Sequence, residues 1–302
     1  MVVETIREME EEKRRIRMTG LSKQGASTRW EVPERRLSHK DIISTSETSF
    51  KFLVKSVYDL LPTPANKNTW FDTDEKCELC GGNGTLNHIL SGCEVALAQG
   101  RYKWRHDQVL REVAHCVEEK RSNNSRPKTN RRKIEFVKEG EVKKPVQIQE
   151  PESYLDTADD WRLEVDLEGR LRVPAYVTKT NLRPDILLIS DNTKQMGVIE
   201  LTVPSEERIE LSGELKRTKY APLLEEGRQN GWKVRVWAVE VGCKGFPAAS
   251  MASLLKDLGF KGSQRGKLLK KMGQTAESAS HSIWRWSHFQ EWGRERETKS
   301  AT

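Results

Sequence analysis

The stretch that decides the fold covers residues 183–220 and reads RPDILLISDNTKQMGVIELTVPSEERIELSGELKRTKY. Two apolar runs in it, Ile186–Ile189 and Met196–Val203, have the length and the β-branched content of strands. The polar segment between the runs predicts a turn, so the two strands are expected to form a hairpin. Pro204 and Ser205 are expected to end the second strand and to start a helix.

Two carboxylates belong to this hairpin. Asp185 opens the first strand, and Glu200 interrupts the apolar run of the second. Two acids that converge at a hairpin can hold a hard divalent cation such as Mg²⁺ through oxygen ligands, and the cation then polarises a phosphodiester. Lys216 and Lys219 share a face of the following helix, where an ammonium group can stabilise developing charge. The alternative is structural, with Asp185 in a turn and Glu200 facing solvent from an edge strand.

The spacing of these residues resembles a known nuclease signature. Pro184-Asp185, fourteen further residues and then Glu200 match the PD-(D/E)XK pattern, although Thr202 stands where that pattern has Lys. One subgroup carries the lysine on the next helix, namely the restriction-like endonuclease of site-specific non-LTR retrotransposons. Its basic residue before Pro-Asp, its second acid and its Lys-x-x-Lys-Tyr helix are similar to Arg183, Glu200 and the KRTKY of residues 216–220. The second acid of that group is often Asp, and the broader superfamily tolerates the longer Glu.

The resemblance implies a fold, a reaction and a set of site residues. The fold class is α/β, a restriction-endonuclease-like mixed sheet flanked by helices. The reaction is metal-dependent hydrolysis of a phosphodiester, by which a DNA target is nicked. Asp185 and Glu200 are expected to bind a catalytic Mg²⁺. Either Lys216 or Lys219 is expected to be the catalytic lysine, with Lys219 favoured because a tyrosine follows it, as in the family motif.

Composition limits the class of protein. The chain has 302 residues, which permits two domains, and it is 35% hydrophobic and 32% charged. Its net charge of +7 favours polyanionic partners. No apolar run reaches the ~18 residues of a membrane helix, and the first residues, MVVETIREMEEEKRRIRM, are too charged for a signal peptide. Five cysteines, three of them clustered, favour metal binding in a reducing compartment over disulfides.

The clustered cysteines have the spacing of a zinc knuckle. Cys77 and Cys80 are followed by His88 and Cys93 in a C-x2-C-x7-H-x4-C pattern. Zn²⁺ takes four such ligands at tetrahedral geometry, and a Cys-x2-Cys turn supplies two of them. Four protein ligands leave no open position, so the expected zinc is structural. The alternative is a coincidental cluster in a loop.

A basic helix is expected directly after the knuckle, from residue 94 to about residue 120. Arg101 and Arg105 lie four residues apart on it, and Arg105, His106 and Asp107 resemble the basic-His-Asp/Asn motif that follows the knuckle in the same retrotransposon group. Arg101, Arg105 and His106 are therefore candidate contacts to nucleic acid, through phosphates or beside stacked bases. The alternative is a surface helix with an exposed His106.

The chain divides into four regions on this basis. They are residues 1–48, charged and expected to be flexible; 49–120, a helix, the knuckle and the basic helix; 121–150, a basic linker; and 151–302, the endonuclease domain with C-terminal helices. The linker contains Arg131, Arg132 and Lys133, which are candidate nucleic-acid contacts or part of a nuclear localisation signal. In the last region, further strands are expected at residues 161–167, 171–177 and 232–241.

The resemblance covers residues 50–292 and also suggests partners. In full-length elements this region lies downstream of a reverse transcriptase, so the chain resembles a detached C-terminal part of such a polyprotein or a host gene derived from one. The expected partner is DNA, with RNA, a second copy of the chain or a separate reverse transcriptase as further candidates. The expected location is the nucleus, with no membrane association. Alternatively, the chain is a catalytically inactive, domesticated nucleic-acid-binding protein. Thr202 in the usual lysine position favours this alternative.

Overall fold

The computed structural model describes residues 2–22, 38–125 and 152–292, which form nine α-helices and four β-strands. The helices are α1 (Val2–Ser22), α2 (His39–Ser44), α3 (Glu47–Val57), α4 (Pro64–Phe71), α5 (Glu94–Ala98), α6 (Arg101–Ser125), α7 (Ile209–Gln229), α8 (Ala249–Asp257) and α9 (Gly262–Arg285). The strands are β1 (Arg162–Val165), β2 (Ile186–Ser190), β3 (Gln195–Thr202) and β4 (Lys233–Glu240). Within the described ranges, no helix is both long and apolar enough to span a bilayer.

The four strands form one mixed sheet in the order β1-β2-β3-β4. The first three pair antiparallel, and the register of the β2–β3 hairpin places Ile186 opposite Ile199. Helix α7 then connects β3 to β4, which pairs parallel to β3 with Thr202 opposite Glu240. The predicted hairpin and the predicted strands near residues 161–167 and 232–241 are confirmed, and so is an α/β fold with a mixed sheet flanked by helices.

The two faces of the sheet are covered differently. Helix α7 packs on one face, where Tyr220 and Leu223 are buried against β2 and β3. Gly227 allows α7 to approach β4 closely, because a Cβ at that position would lie 2.3 Å from Val234 Cγ2. Helices α6, α8 and α9 cover the opposite face, and their apolar residues share a core with Ile199 and Leu201. Both faces of the sheet are therefore buried, as the nearly continuous apolar sequences of β2 and β3 require.

Helix α6 links the region before the linker to the sheet. Four apolar side chains of this helix are completely buried in the core of the sheet: Val109, Leu110, Val113 and Val117. Cys116 is buried beside them, as a structural thiol is expected to be. The predicted regions 49–120 and 151–302 consequently share one core in the described part of the chain.

Two expectations about local structure are wrong. Residues 171–177 form no strand, because Pro174 cannot donate to a ladder and its carbonyl instead accepts a bond from the amide of Val177 at 2.9 Å in a turn. The helix expected from residue 94 to residue 120 is interrupted at Gly100, whose φ of +74° ends α5 before α6 begins. The break reorients the chain between the knuckle and the long helix.

Candidate active site and metal centre

Asp185 and Glu200 face each other across the β2–β3 ladder. The hairpin register pairs Ile186 with Ile199, so the residues just beyond this pair, Asp185 and Glu200, are the next to oppose one another. Asp185 Oδ2 accepts a hydrogen bond of 2.7 Å from the backbone amide of Leu201, the residue after Glu200. The strand pairing and this hydrogen bond together hold the two acids at one end of the sheet.

Glu200 is buried, with 2% of its surface exposed, and in the described part of the chain its side-chain partners come from α7. Its Oε1 forms an ion pair with Lys216 Nζ and lies 3.8 Å from Lys219 Nζ, while Oε2 accepts a hydrogen bond of 2.8 Å from the Tyr220 hydroxyl. The interpretation of Glu200 as a solvent-facing edge residue is therefore wrong, since β3 is an inner strand and α7 covers the carboxylate.

The two candidate lysines are not equivalent. Lys216 contacts Glu200 directly and has 27% of its side chain exposed, whereas Lys219 lies farther away and has 45% exposed. The family motif favoured Lys219, while proximity to the buried acid favours Lys216. The sequence pattern includes Tyr220 only as the residue that follows Lys219 in the motif. Its spacing of four residues from Lys216, one helical turn, is the signal that would have placed it beside the same carboxylate.

His106 reaches the first acid from the opposite side. Its Nε2 lies 3.4 Å from Asp185 Oδ2 and 3.3 Å from the carbonyl of Leu201, and its Nδ1 lies 3.1 Å from Asp107 Oδ1. Both ring nitrogens face acceptors, an arrangement that suits the doubly protonated ring. Burial lowers the pKa of His106, but the hydrogen bonds and charges of Asp107 and Asp185 outweigh it and raise that pKa to about 9. The structure thus joins His106, a residue of the knuckle-linked motif, to the acid site.

Glu240 is a third acid at this end of the sheet, which the sequence did not single out. It closes β4 opposite Thr202, is 3% exposed, and accepts a hydrogen bond from the Ser250 hydroxyl. Burial raises the pKa of Glu240, and Ser250 and Arg217 partly oppose the rise. Among the described residues, neither Glu240 Oε1 nor Thr202 Oγ1, both buried, has a hydrogen-bond partner. Thr202 stands where the nuclease signature has lysine, and its hydroxyl oxygen is therefore a buried polar atom beside the third acid.

The prediction that Arg101 and Arg105 contact nucleic acid is contradicted by their burial, at 0% and 2% exposure. Arg101 donates hydrogen bonds of 2.7 Å to the carbonyls of Trp286 and Phe289. Arg105 donates to the carbonyls of Leu90, at 2.8 Å, and Val203, at 3.0 Å. These guanidinium groups connect the knuckle, the end of β3 and the segment after α9, and they offer no open face to a phosphate.

Three further candidate nucleic-acid contacts belong to the predicted linker. Arg131, Arg132 and Lys133 fall outside the described residues. The predicted linker begins as helix, because α6 continues to Ser125.

The knuckle residues form a compact set of metal donors. The Sγ atoms of Cys77, Cys80 and Cys93 and a ring nitrogen of His88 all lie within 4.8 Å of one another. The loop is tight because the Cys77 amide donates to the carbonyl of Gly82 at 2.6 Å. A Cys₃His set at this separation matches the ligands and geometry of structural zinc, so the predicted four-residue cluster can bind a metal such as Zn²⁺.

Protonation differs among these thiols. A hydrogen bond from the Gly82 amide lowers the pKa of Cys80, while burial raises the pKa of Cys93 to about 11. Because zinc binds thiolates, loading the site releases protons. The Tyr102 hydroxyl, on α6, accepts a hydrogen bond of 3.0 Å from the Cys93 amide and donates one of 2.9 Å to the carbonyl of Ile89. The knuckle is therefore fixed to the same helix that carries His106.

Neither the protein-family models nor the curated proteins that were searched include a match to the chain. What the two sites can do is consequently inferred from their own residues.

Proposed function

We propose that the chain is a Mg²⁺-dependent endonuclease that hydrolyses a phosphodiester of DNA and carries a structural zinc knuckle. The observation that carries the proposal is the contact of Lys216 Nζ with the buried carboxylate of Glu200, opposite Asp185. Two acids and an ammonium group at one end of a sheet are the components that metal-assisted phosphodiester hydrolysis needs. The resemblance to the PD-(D/E)XK signature names the same two acids, and the motif of the subgroup allows either Lys216 or Lys219 as the lysine.

The acids fit Mg²⁺ in donor type and number, since this cation is held in proteins by one or two carboxylates and retains several waters. Asp185 is anchored through Oδ2, and within the described ranges no hydrogen bond or ion pair reaches its Oδ1. Asp185 and Glu200 would hold the ion, which supplies the positive charge that polarises the phosphodiester. Both Glu200 oxygens already have partners on α7, so Glu200 would share its carboxylate between the ion and Lys216.

The chain's own side chains have separate tasks in this proposal. Lys216 stabilises the negative charge that develops on the phosphate, or orients the attacking water, because its ammonium group lies at the acid pair. Tyr220 orients the Glu200 carboxylate by donating a hydrogen bond to Oε2, the oxygen that Lys216 does not contact. Lys219, which is farther from Glu200 and more exposed, would contact a neighbouring phosphate.

The fold and the charge of the chain fit this function. The mixed sheet flanked by helices supports a restriction-endonuclease-like fold. The net charge of +7 supports a nucleic-acid substrate. A nuclear location and an origin in a non-LTR retrotransposon follow from the resemblance, and a second copy of the chain or a separate reverse transcriptase remain proposed partners.

A second candidate function is nucleic-acid binding without catalysis. Thr202 in the usual lysine position favours it, and so does Glu200, whose two oxygens are both engaged by side chains of α7. In this case Lys216 neutralises a buried acid permanently.

A nicking assay on supercoiled plasmid separates the two functions. Zinc-loaded protein is tested with Mg²⁺ and without added divalent metal, as wild type, Asp185→Asn and Glu200→Gln. The matched control is Asp191→Asn, since Asp191 lies in the turn of the same hairpin and pairs with Arg162 at the surface. We expect Mg²⁺-dependent nicking by wild type and the control, and none by the two site variants. Binding of DNA without nicking by wild type would instead favour the second function.

A further inference from the structure

A cavity of about 430 Å³ lies between the knuckle, the start of α4 and the end of α9. Its apolar part is formed by Pro62, Pro64 and Ile89. The volume is within the range of small-ligand sites, ~300–1,000 Å³. The cavity is separate from the acid site, whose residues do not line it.

Aromatic rings form one wall of this cavity. His281 stacks on Phe52 with ring centroids 4.6 Å apart and 24° between the planes. The Trp284 ring lies 5.9 Å from both of these rings, at 21° to His281 and 41° to Phe52. His281 and Trp284 both line the cavity. A planar base that enters can therefore pack against these two rings, and contact with aromatic rings is how single-stranded nucleic acids are commonly bound.

Positive charge lines the same cavity. Lys67 on α4 and Arg285 on α9 both reach it and are exposed, and in the described part of the chain neither has an ion-pair partner. His288 also lines the cavity, and Glu78 is the one acidic side chain among the described residues that line it. Cations next to stacked rings fit a ligand that combines a base with a phosphate, whereas an aromatic side chain of a protein partner would leave both cations unused.

We propose that this cavity binds one unpaired nucleotide of a single-stranded nucleic acid, with the base against Trp284 and His281 and the phosphate at Lys67 and Arg285. A base inside a duplex cannot enter, because its faces are covered by its neighbours. The zinc knuckle positions Glu78 and Ile89 along the cavity, so metal binding and strand binding are connected through the same loop. The proposal does not depend on cleavage at the acid site.

The test is fluorescence anisotropy with labelled dT12, rU12 and a 12-base-pair duplex, using the full zinc-loaded chain without Mg²⁺. Trp284→Leu keeps an apolar side chain but removes the stacking surface, and we expect the Kd for the single strands to rise about fivefold or more, since stacking on an aromatic ring contributes ~1–3 kcal/mol per base. The surface variant Lys67→Glu/Arg285→Glu is expected to weaken single-strand binding at least as much. Comparison of dT12 with rU12 identifies the preferred strand.

The matched control is Arg172→Glu/Lys179→Glu, which makes the same change in net charge at exposed residues outside the cavity. Its single-strand Kd is expected to stay within about twofold of wild type, because ions screen charges that are distant from the bound strand. Glu78→Gln is expected to tighten binding. The proposal is overturned if Trp284→Leu and the cavity charge variant bind single strands as wild type does. Equal weakening by the control would also overturn it, since binding would then follow net charge alone.

Discussion

His106 Nε2 lies 3.4 Å from Asp185 Oδ2, so a side chain of the helix that follows the knuckle touches the acid that opens β2. The same nitrogen lies 3.3 Å from the carbonyl of Leu201, and the Leu201 amide donates to Asp185. His106 therefore fixes the orientation of the Asp185 carboxylate through one oxygen and leaves the other open. A motif next to the knuckle thereby supports the acid site directly.

Replacing His106 is expected to impair nicking without abolishing binding. His106→Ala removes the support of Asp185, and loss of a group that orients a metal-binding side chain typically lowers activity or metal affinity by about 10- to 100-fold. Plasmid nicking rates over a Mg²⁺ titration measure the effect. His115→Ala is the control, because His115 is on the same helix and 62% exposed. Unchanged nicking by His106→Ala would contradict the positioning role.

The two lysines of α7 are expected to differ in their effect on the reaction. Lys216→Ala removes the ammonium group that contacts Glu200, and loss of a preorganised charge of this kind costs about 10²–10³ in kcat. Lys219→Ala removes a more distant and more exposed group and is expected to act mainly on the concentration of DNA needed for half-maximal rate. Single-turnover kinetics of both variants separate the two effects. A larger loss of rate in Lys219→Ala than in Lys216→Ala would instead support Lys219 as the catalytic lysine, as the family motif favours.

Zinc is expected to stabilise the fold beyond the knuckle itself. The knuckle is joined to α6 by Tyr102 and to the end of β3 through Arg105. Unfolding of the knuckle after zinc removal therefore also removes contacts to the sheet. We expect one zinc per chain and a fall in Tm of at least about 5 °C after Cys93→Ser or treatment with a zinc chelator. Metal analysis and thermal unfolding measure these quantities. Cys116→Ser is the control, since this buried thiol lies outside the donor cluster and is expected to leave the zinc content unchanged.

Glu206, which is buried in the short turn between β3 and α7, is expected to make stability depend on pH. Burial raises its pKa to about 7, although Lys244 lowers it, so the folded protein binds this proton more tightly than the unfolded chain does. Tighter binding of this proton stabilises the fold fully at pH values below the usual pKa of 4.5, and the stabilisation is lost as the pH rises through about 7. From the difference between the two pKa values, it amounts to about 3 kcal/mol. Urea unfolding at pH 5 and pH 7.5 measures it. Glu206→Gln should show a smaller loss between the two pH values than wild type, and an equal loss in both proteins would refute the assignment.

Local features of the fold and of the sites could be predicted from the sequence, whereas most contacts between distant segments could not. The hairpin follows from two apolar runs and a polar turn, and the knuckle from the spacing of Cys77, Cys80, His88 and Cys93, because both are determined within a few residues. The burial of Arg101 could not be foreseen, since the carbonyls that accept its hydrogen bonds lie 185 and 188 residues away in the sequence. An arginine four residues from another has the same pattern on an exposed helix and on one covered by a C-terminal segment.

Arg105 is the second buried arginine. Its replacement distinguishes a structural role from the nucleic-acid contact that the sequence predicted. Arg105→Ala leaves the carbonyls of Leu90 and Val203 without their charged donor, and loss of hydrogen bonds to a charged group costs about 1.5–3 kcal/mol each. We therefore expect a fall of about 3 kcal/mol or more in the free energy of unfolding, measured by urea denaturation, with DNA affinity unchanged at temperatures where the variant stays folded. Arg111→Ala, at an exposed position of the same helix, is the control and should change stability little. A normal free energy of unfolding combined with weakened DNA binding would restore the interpretation of Arg105 as a phosphate contact.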